Sequence, residues 1–231
     1  MSTVVPSLTN PVVAAEAGNP APRILTRLAG AALPIGTAAF VAGIATSPLA
    51  TGDDRASYIE SLGREPWLTE LSAVLLHYGN LLLGVGALAL PLLVRGRRGW
   101  VPSLVGALLG AVALLSTSGA LFSDWMHMEL ARTVSMDQAV TVSNAVLGAP
   151  LLQLSFGLDP LLILALPLVV FGLCRAGVLG WWAMGAVVAG TVLLPLSPAQ
   201  GNLVPAAAFL LIQGPLAMAG FRLLARARLA G

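Results

Sequence analysis

Long apolar segments recur along the chain, and they constrain its fold more than any other feature. Six such segments are separated by charged loops, and they cover residues 28–50, 71–94, 100–122, 154–174, 178–196 and 203–221. A helix needs roughly 20 mostly apolar residues to cross the hydrocarbon core of a bilayer, and each segment is close to that length. Only 10% of the 231 residues are charged, against about a quarter in a soluble domain. The pattern predicts an all-α, polytopic membrane helix bundle with six transmembrane helices.

The arginines indicate how this bundle is oriented. All twelve basic residues are arginine, and nine of them lie before the first segment, between the second and third, between the fourth and fifth, or after the sixth. Basic residues in short loops mark the cytoplasmic side of a membrane protein. We therefore expect both termini in the cytoplasm and a location in the cell inner (plasma) membrane. Because the arginines are spread over short loops, they indicate topology and not nucleic-acid binding.

The remaining sequence divides into a tail and one domain. Residues 1–22 are rich in Pro and Ala and carry one acidic residue, which is typical of a disordered tail. Residues 23–231 then form a single transmembrane helical domain with outer loops at 51–70 and 123–153. In the first loop, Asp53 or Asp54 is placed to cap a short surface helix that ends before Pro66.

Two further patterns concern helix packing and helix continuity. Gly106 and Gly110 follow the small-xxx-small pattern that allows helices to approach closely in lipid, and we expect this packing to be intramolecular. A continuous helix over 141–174 would be roughly 50 Å long at 1.5 Å per residue, more than a bilayer core requires. We expect it to bend or break near residues 148–150 or 157–160, where glycine and proline interrupt helices.

Polar side chains in or beside the apolar segments map to the outer half of the bundle. They are His77, Asn80, Asp124, His127, Gln153 and Asp159, with Gln213 near mid-membrane. Asp124 and His127 are three residues apart, so a continuing helix would place them on one face. Asp159 precedes Arg175 by sixteen residues, or roughly 24 Å of helical rise. Ionisable residues at such depth usually line a cavity and indicate a functional site.

Acid–base chemistry on a lipid or isoprenoid is the function that this set favours. A carboxylic acid in apolar surroundings tends to keep its proton and can donate it to a substrate, as a protonation-initiated terpene cyclase or another lipid-modifying enzyme requires. The residues predicted to be catalytic are Asp124, His127, His77 and Asp159. Asn80, Gln153 and Trp125 are predicted to support them. We expect a hydrophobic small-molecule substrate from the bilayer, no cofactor and no nucleic-acid partner.

Other functions remain open from the sequence. Asp124, His127 and His77, with Glu129 nearby, offer metal ligands, but their spacing differs from the HExxH motif, and we expect no metal. Polar residues within a membrane also occur in proton or small-molecule carriers. The cytoplasmic halves lack matching polar residues, which is why catalysis is favoured over transport. A non-catalytic accessory protein is a further alternative.

Three stretches of the chain resemble small actinobacterial multi-pass membrane proteins of unknown function: TGDDRASYIESL, LLHYGNLLLGVGALALPLLVRGRRGW and GALFSDWMHMELAR. The resemblance covers roughly residues 25–225 and rests on the topology and the outer-loop pattern. It implies a multi-pass helical bundle and no particular activity. Polytopic terpene cyclases of similar size also place isolated Asp or Glu residues in helical bundles, and the similarity to them is an analogy of architecture.

Overall fold

A computed structural model describes residues 21–196 and 201–229, and within these ranges the protein consists of helices and turns, with no strand. The predicted all-α class is therefore confirmed. The α-helices are α1 (Ala21–Thr46), α2 (Arg55–Arg64), α3 (Pro66–Ala87), α4 (Trp100–Ala120), α5 (Phe122–Thr133), α6 (Met136–Leu147), α7 (Pro150–Phe156), α8 (Leu162–Arg175), α9 (Trp182–Leu193) and α10 (Leu203–Leu229). Short 3₁₀ helices cover Leu90–Leu93, Asp159–Leu161 and Leu194–Leu196. The predicted tail lies outside the described residues, except for positions 21 and 22, which begin α1.

Five stretches of helix in the described part of the chain are long and apolar enough to cross a membrane. They are α1, α3, α4 with α5, α7 with α8, and α10. The sixth predicted segment, residues 178–196, forms the 12-residue α9 and a 3₁₀ turn. At 1.5 Å and 2.0 Å per residue this unit rises about 24 Å, less than the roughly 30 Å of a hydrocarbon core. The segment is shorter than expected because α9 begins only at Trp182 and is followed by a 3₁₀ turn that contains Pro195.

Small residues bring the long helices into close contact. Helix α1 packs between α3 and α10, and α4 packs between α3 and α8. A Cβ atom on Gly79 would lie 2.7 Å from the backbone nitrogen of Phe40, and one on Gly106 would lie 2.4 Å from that of Val169. Both distances are too short for any side chain, so only glycine permits these contacts. The intramolecular packing predicted for Gly106 is confirmed.

Side-chain contacts define the two ends of the bundle. At the arginine-rich end, Arg27 Nη2 donates to the carbonyl oxygen of Ala227 at 3.4 Å, and Arg226 donates to that of Leu92. The start of α1 and the end of α10 therefore lie together. At the opposite, arginine-poor end, Asn202 donates to the carbonyl oxygen of Ser47, which joins the end of α1 to the start of α10.

Helices α2, α5 and α6 contact one another at the arginine-poor end, and we call them the capping helices. The predicted cap of α2 is confirmed, since Asp54 Oδ1 accepts a hydrogen bond from the Ser57 backbone nitrogen at 2.8 Å. Both predicted interruptions are also confirmed. Helix α6 ends before Gly148 and α7 begins at Pro150, and α7 then ends before Gly157.

Candidate functional site

The four residues predicted to be catalytic lie in three separate places in the structure. Asp124 and His127 lie among the capping helices, His77 lies between α3 and α4, and Asp159 lies at a cavity between the long helices. Each place has its own hydrogen-bonding pattern, and that pattern decides what its residues can do.

The first place is a buried polar cluster that joins the three capping helices. The Tyr58 hydroxyl of α2 donates to Asp124 Oδ1 of α5 at 2.6 Å. His127 Nε2 of α5 lies 2.7 Å from the Ser143 hydroxyl of α6. The Tyr58 and His127 rings meet edge to face, with centroids 5.7 Å apart. Burial, together with the Asp124 carboxyl, raises the pKa of the Tyr58 hydroxyl above its ordinary value, so this donor keeps its proton.

An open cavity of about 660 Å³ lies beside this cluster and is lined by Tyr58, His127 and polar residues of the loop before α2. His127 is 1% exposed and Ser143 is fully buried, so the Ser–His pair is not accessible as a nucleophile. Asp124 accepts from Tyr58 and has no hydrogen bond to His127. The arrangement is therefore not a catalytic triad, and its contacts hold α2, α5 and α6 together.

His77, the second place, connects two long helices. Its Nδ1 atom lies 2.9 Å from the Ser118 hydroxyl and 3.0 Å from the Ser118 carbonyl oxygen. The Ser118 hydroxyl also reaches the His77 carbonyl oxygen at 3.0 Å. These contacts involve Nδ1 and the carbonyl oxygen of His77, and they pack α3 against α4.

The third place is a cavity of about 640 Å³ in the arginine-poor half, which we call the interhelix cavity. Residues of α1, α3, α4, α8, α9 and α10 line it, and thirteen of its eighteen lining residues are apolar. Its size lies within the roughly 300–1,000 Å³ range of small-molecule sites, which are mostly apolar with a few placed polar groups. The polar lining residues are Asn80, Thr117, Asp159, Thr191 and Gln213.

Two of these polar residues carry buried atoms without a partner. Among the described residues, six buried side-chain nitrogen or oxygen atoms lack a hydrogen bond, and three of them are Oδ1 and Nδ2 of Asn80 and Oε1 of Gln213. Asn80 is 1% exposed and Gln213 is 3% exposed. Buried polar atoms are nearly always hydrogen-bonded, so their concentration here points to a ligand. By contrast, the Thr117 and Thr191 hydroxyls each donate to a carbonyl oxygen of their own helix at 2.9 Å.

Asp159 is the ionisable residue of the interhelix cavity. It begins the 3₁₀ turn Asp159–Leu161 that precedes α8, in the interruption after Gly157. Because the helix is broken there, the carboxyl lies at the rim of the cavity and is exposed in the protein alone. The rings of Phe40 and Phe209, which also line the cavity, pack edge to face with centroids 4.9 Å apart.

The two remaining predicted residues lie apart from these places. Gln153 is exposed on α7 and donates to the carbonyl oxygen of Leu147 at 3.1 Å. Trp125 is half-buried on α5 and lines neither of the two cavities. Within the described residues, no three His, Cys, Asp or Glu side chains form a group that could hold a metal ion, so the metal-ligand set considered for Asp124, His127 and His77 is not assembled.

The sequence interpretation did not select Tyr58, Ser143, Phe40 or Phe209. The sequence did contain a signal for Tyr58. Ile59 and Leu62 lie on the buried face of α2, and a tyrosine next to that face needs a hydrogen-bond partner for its hydroxyl. No comparable signal marks Phe40 and Phe209, which are separated by most of the chain and resemble ordinary membrane residues.

Comparison with known proteins gives no relative from which a role could be transferred. No protein-family model matches the chain, and no curated protein or solved structure is significantly similar to it.

Proposed function

We propose that the protein is an integral membrane enzyme that isomerises or cyclises a lipid or isoprenoid by acid–base chemistry in the interhelix cavity. One observation carries the proposal: an apolar cavity of about 640 Å³ contains a single carboxyl group, Asp159, and two amides with unpaired atoms. Asp159 is the catalytic residue, and Asn80 and Gln213 bind the substrate. The catalytic roles predicted for Asp124, His127 and His77 stay predictions, and in this proposal these residues pack helices against one another.

The chemistry requires one proton that is given and then recovered. The Asp159 carboxyl gives a proton to a substrate double bond, so that a C–H bond forms, the π bond breaks and a carbocation develops on the neighbouring carbon. A second double bond can attack this carbon and close a ring. Loss of a proton from an adjacent carbon to the Asp159 carboxylate restores a double bond and the acid. The product is an isomer of the substrate, and no cofactor is consumed.

The cavity walls suit such an intermediate. Aromatic faces attract cations, and more strongly where water is excluded, and the Phe40–Phe209 pair borders the cavity. The apolar walls hold the hydrocarbon chain, and the bound chain displaces water that would otherwise capture the cation. Thr117 and Thr191 offer no free donor, because both hydroxyls are bound to their own helices.

The proposed setting is the plasma membrane, with six crossings and both termini in the cytoplasm. Helix α8 ends at Arg175, near the arginine-rich end, and α10 starts beside Ser47 at the other end. Helix α9 packs against both α8 and α10, which supports a sixth crossing despite the shortness of α9. The arginine distribution orients the arginine-rich end towards the cytoplasm, which places the interhelix cavity in the outer leaflet.

Turnover in deuterated buffer tests this function. The purified protein is reconstituted into liposomes containing farnesol, geranylgeraniol or squalene, and mass spectrometry detects isomers that carry solvent deuterium. We expect such products with the wild type and a loss of about 10²–10⁴-fold in rate for Asp159→Asn, the range that general acids contribute. Asp137→Asn is the matched control, because Asp137 lies on α6 and lines neither cavity.

Three results would overturn or redirect the proposal. Absence of any deuterated isomer from the wild type would remove the enzymatic function. An Asp159→Asn protein with full activity would remove the assigned acid. An Asp124→Asn protein that remains folded and is inactive would return the catalytic role to the capping helices.

A further inference from the structure

The interhelix cavity shows which polar group its ligand carries. We infer that it binds an uncharged lipid whose polar end is a hydroxyl group, held by Asn80 and Gln213. This inference rests on the proposed function for its site and names the substrate class.

Charge excludes most headgroups from this cavity. Among its eighteen lining residues, the ionisable group is Asp159, and neither an arginine nor a histidine is present. A phosphate, diphosphate or carboxylate would therefore be desolvated without a counter-ion and would face a carboxyl group. Burial of an unpaired charge is strongly unfavourable. The ligand consequently enters without an anionic group.

Hydrogen bonding then selects among neutral groups. The unpaired atoms are two acceptors, Oδ1 of Asn80 and Oε1 of Gln213, and one donor group, Nδ2 of Asn80. A hydroxyl donates one hydrogen bond and accepts others, so it can bind an acceptor and Nδ2 together. A ketone or ester only accepts, and a hydrocarbon satisfies none of these atoms. An ammonium group only donates, so it would leave Nδ2 unpaired, and its charge would also be desolvated among apolar walls.

The surroundings of the cavity indicate where this lipid comes from. Ile163 of α8 is 72% exposed, and Val188 and Val192 of α9 are 56% and 65% exposed. All three line the cavity, so its border between α8 and α9 presents apolar side chains outwards. In a bilayer this border faces lipid. A neutral lipid alcohol therefore reaches the amides from the membrane without crossing water.

Competition binding tests the inference independently of turnover. The full-length protein in nanodiscs is equilibrated with tritiated farnesol, and unlabelled farnesol, farnesyl diphosphate, farnesylamine or the hydrocarbon farnesene is added as competitor. We expect farnesol to compete at least tenfold better than each of the others. Gln213→Leu and Asn80→Leu should each weaken farnesol binding about tenfold and leave farnesene binding unchanged, and Asn144→Leu, on the exposed face of α6, should change neither.

The outcomes separate this inference from the proposed function. Equal or tighter binding of the diphosphate or the amine overturns the hydroxyl assignment, while deuterated products would still support the enzyme. Farnesol binding that depends on Asn80 and Gln213, without deuterated product from any isoprenoid alcohol, supports the assignment and overturns the enzyme. Farnesol binding that neither amide variant weakens overturns the inference even if turnover is observed.

Discussion

Replacing Asn80 by leucine should make the protein more stable while removing its ligand. Asn80 is 1% exposed, and both polar atoms of its amide lack partners. In most proteins a buried asparagine is hydrogen-bonded, and its loss destabilises the fold. Here the desolvation of the Asn80 amide lowers the stability of the folded state, because no hydrogen bond compensates for it. Asn80→Leu removes that penalty and fills a similar volume with apolar atoms.

The magnitude follows from the unmade hydrogen bonds. An unsatisfied buried polar group costs about 1–3 kcal/mol. The lower part of that range applies to Asn80, because its amide borders a cavity large enough to admit water. We therefore expect the free energy of unfolding to rise by about 1–2 kcal/mol. At roughly 2–4 °C per kcal/mol for a chain of this size, the midpoint of thermal unfolding should rise by about 2–8 °C.

The single cysteine provides the assay. Cys174 is buried, so a thiol-reactive fluorogenic maleimide reports its exposure as the protein unfolds in detergent. Asn144→Leu is the matched control, because the same substitution at an exposed position should change the free energy of unfolding by no more than about 0.5 kcal/mol. A fall in the midpoint of Asn80→Leu, with Asn144→Leu unchanged, would show that the Asn80 amide is paired within the protein. The Asn80 amide would then need no ligand as a partner.

Two further predictions concern the capping helices and the topology. With Tyr78→Phe, Tyr58 is the last tyrosine, and its raised pKa should keep phenolate absorbance from appearing near pH 10 in the folded protein. An unfolded tyrosine ionises at about pH 10, so above that pH the unfolded state loses a proton that the folded state retains. The free energy of unfolding should therefore decline as the pH rises above about 10. Phenolate formation near pH 10 without unfolding would contradict this prediction. The topology is tested by labelling in a Cys174→Ser background. A membrane-impermeant maleimide should label Asp137→Cys in intact cells and Arg97→Cys only after permeabilisation. The opposite pattern would reverse the proposed orientation.

The sequence carried enough information to predict the helices and their interruptions. Helix positions depend on local sequence: apolar runs predict the helices themselves. Glycines and prolines near residues 148–150 and 157–160 predict where helices end. The cap of α2 by Asp54 is equally local. The length of α9 was overestimated because hydropathy does not show where a helix starts, and the residues before Trp182 are apolar but form a turn.

The candidate site was only partly predictable, because spacing along one helix says nothing about its neighbours. Asp124 and His127 share a helix, and both contact Tyr58, which is 66 residues from Asp124. Asn80 and Gln213 meet at one cavity only because α3 and α10 both pack near α1. The depth of the polar residues could be estimated from helical rise. Their separation into three places depends on packing.

The short helix α9 has a consequence for the membrane itself. It rises about 24 Å with its 3₁₀ turn. If it forms the proposed sixth crossing, it is shorter than the hydrocarbon thickness, and such a span is accommodated by local thinning of the bilayer. Val188 and Val192 of α9 stand at the border of the interhelix cavity. In that crossing the thinned zone would adjoin this border and would draw lipid headgroups and water towards the depth of Asp159. Hydrophobic mismatch would thus give this carboxyl a route for exchanging protons with solvent while the cavity behind it stays apolar.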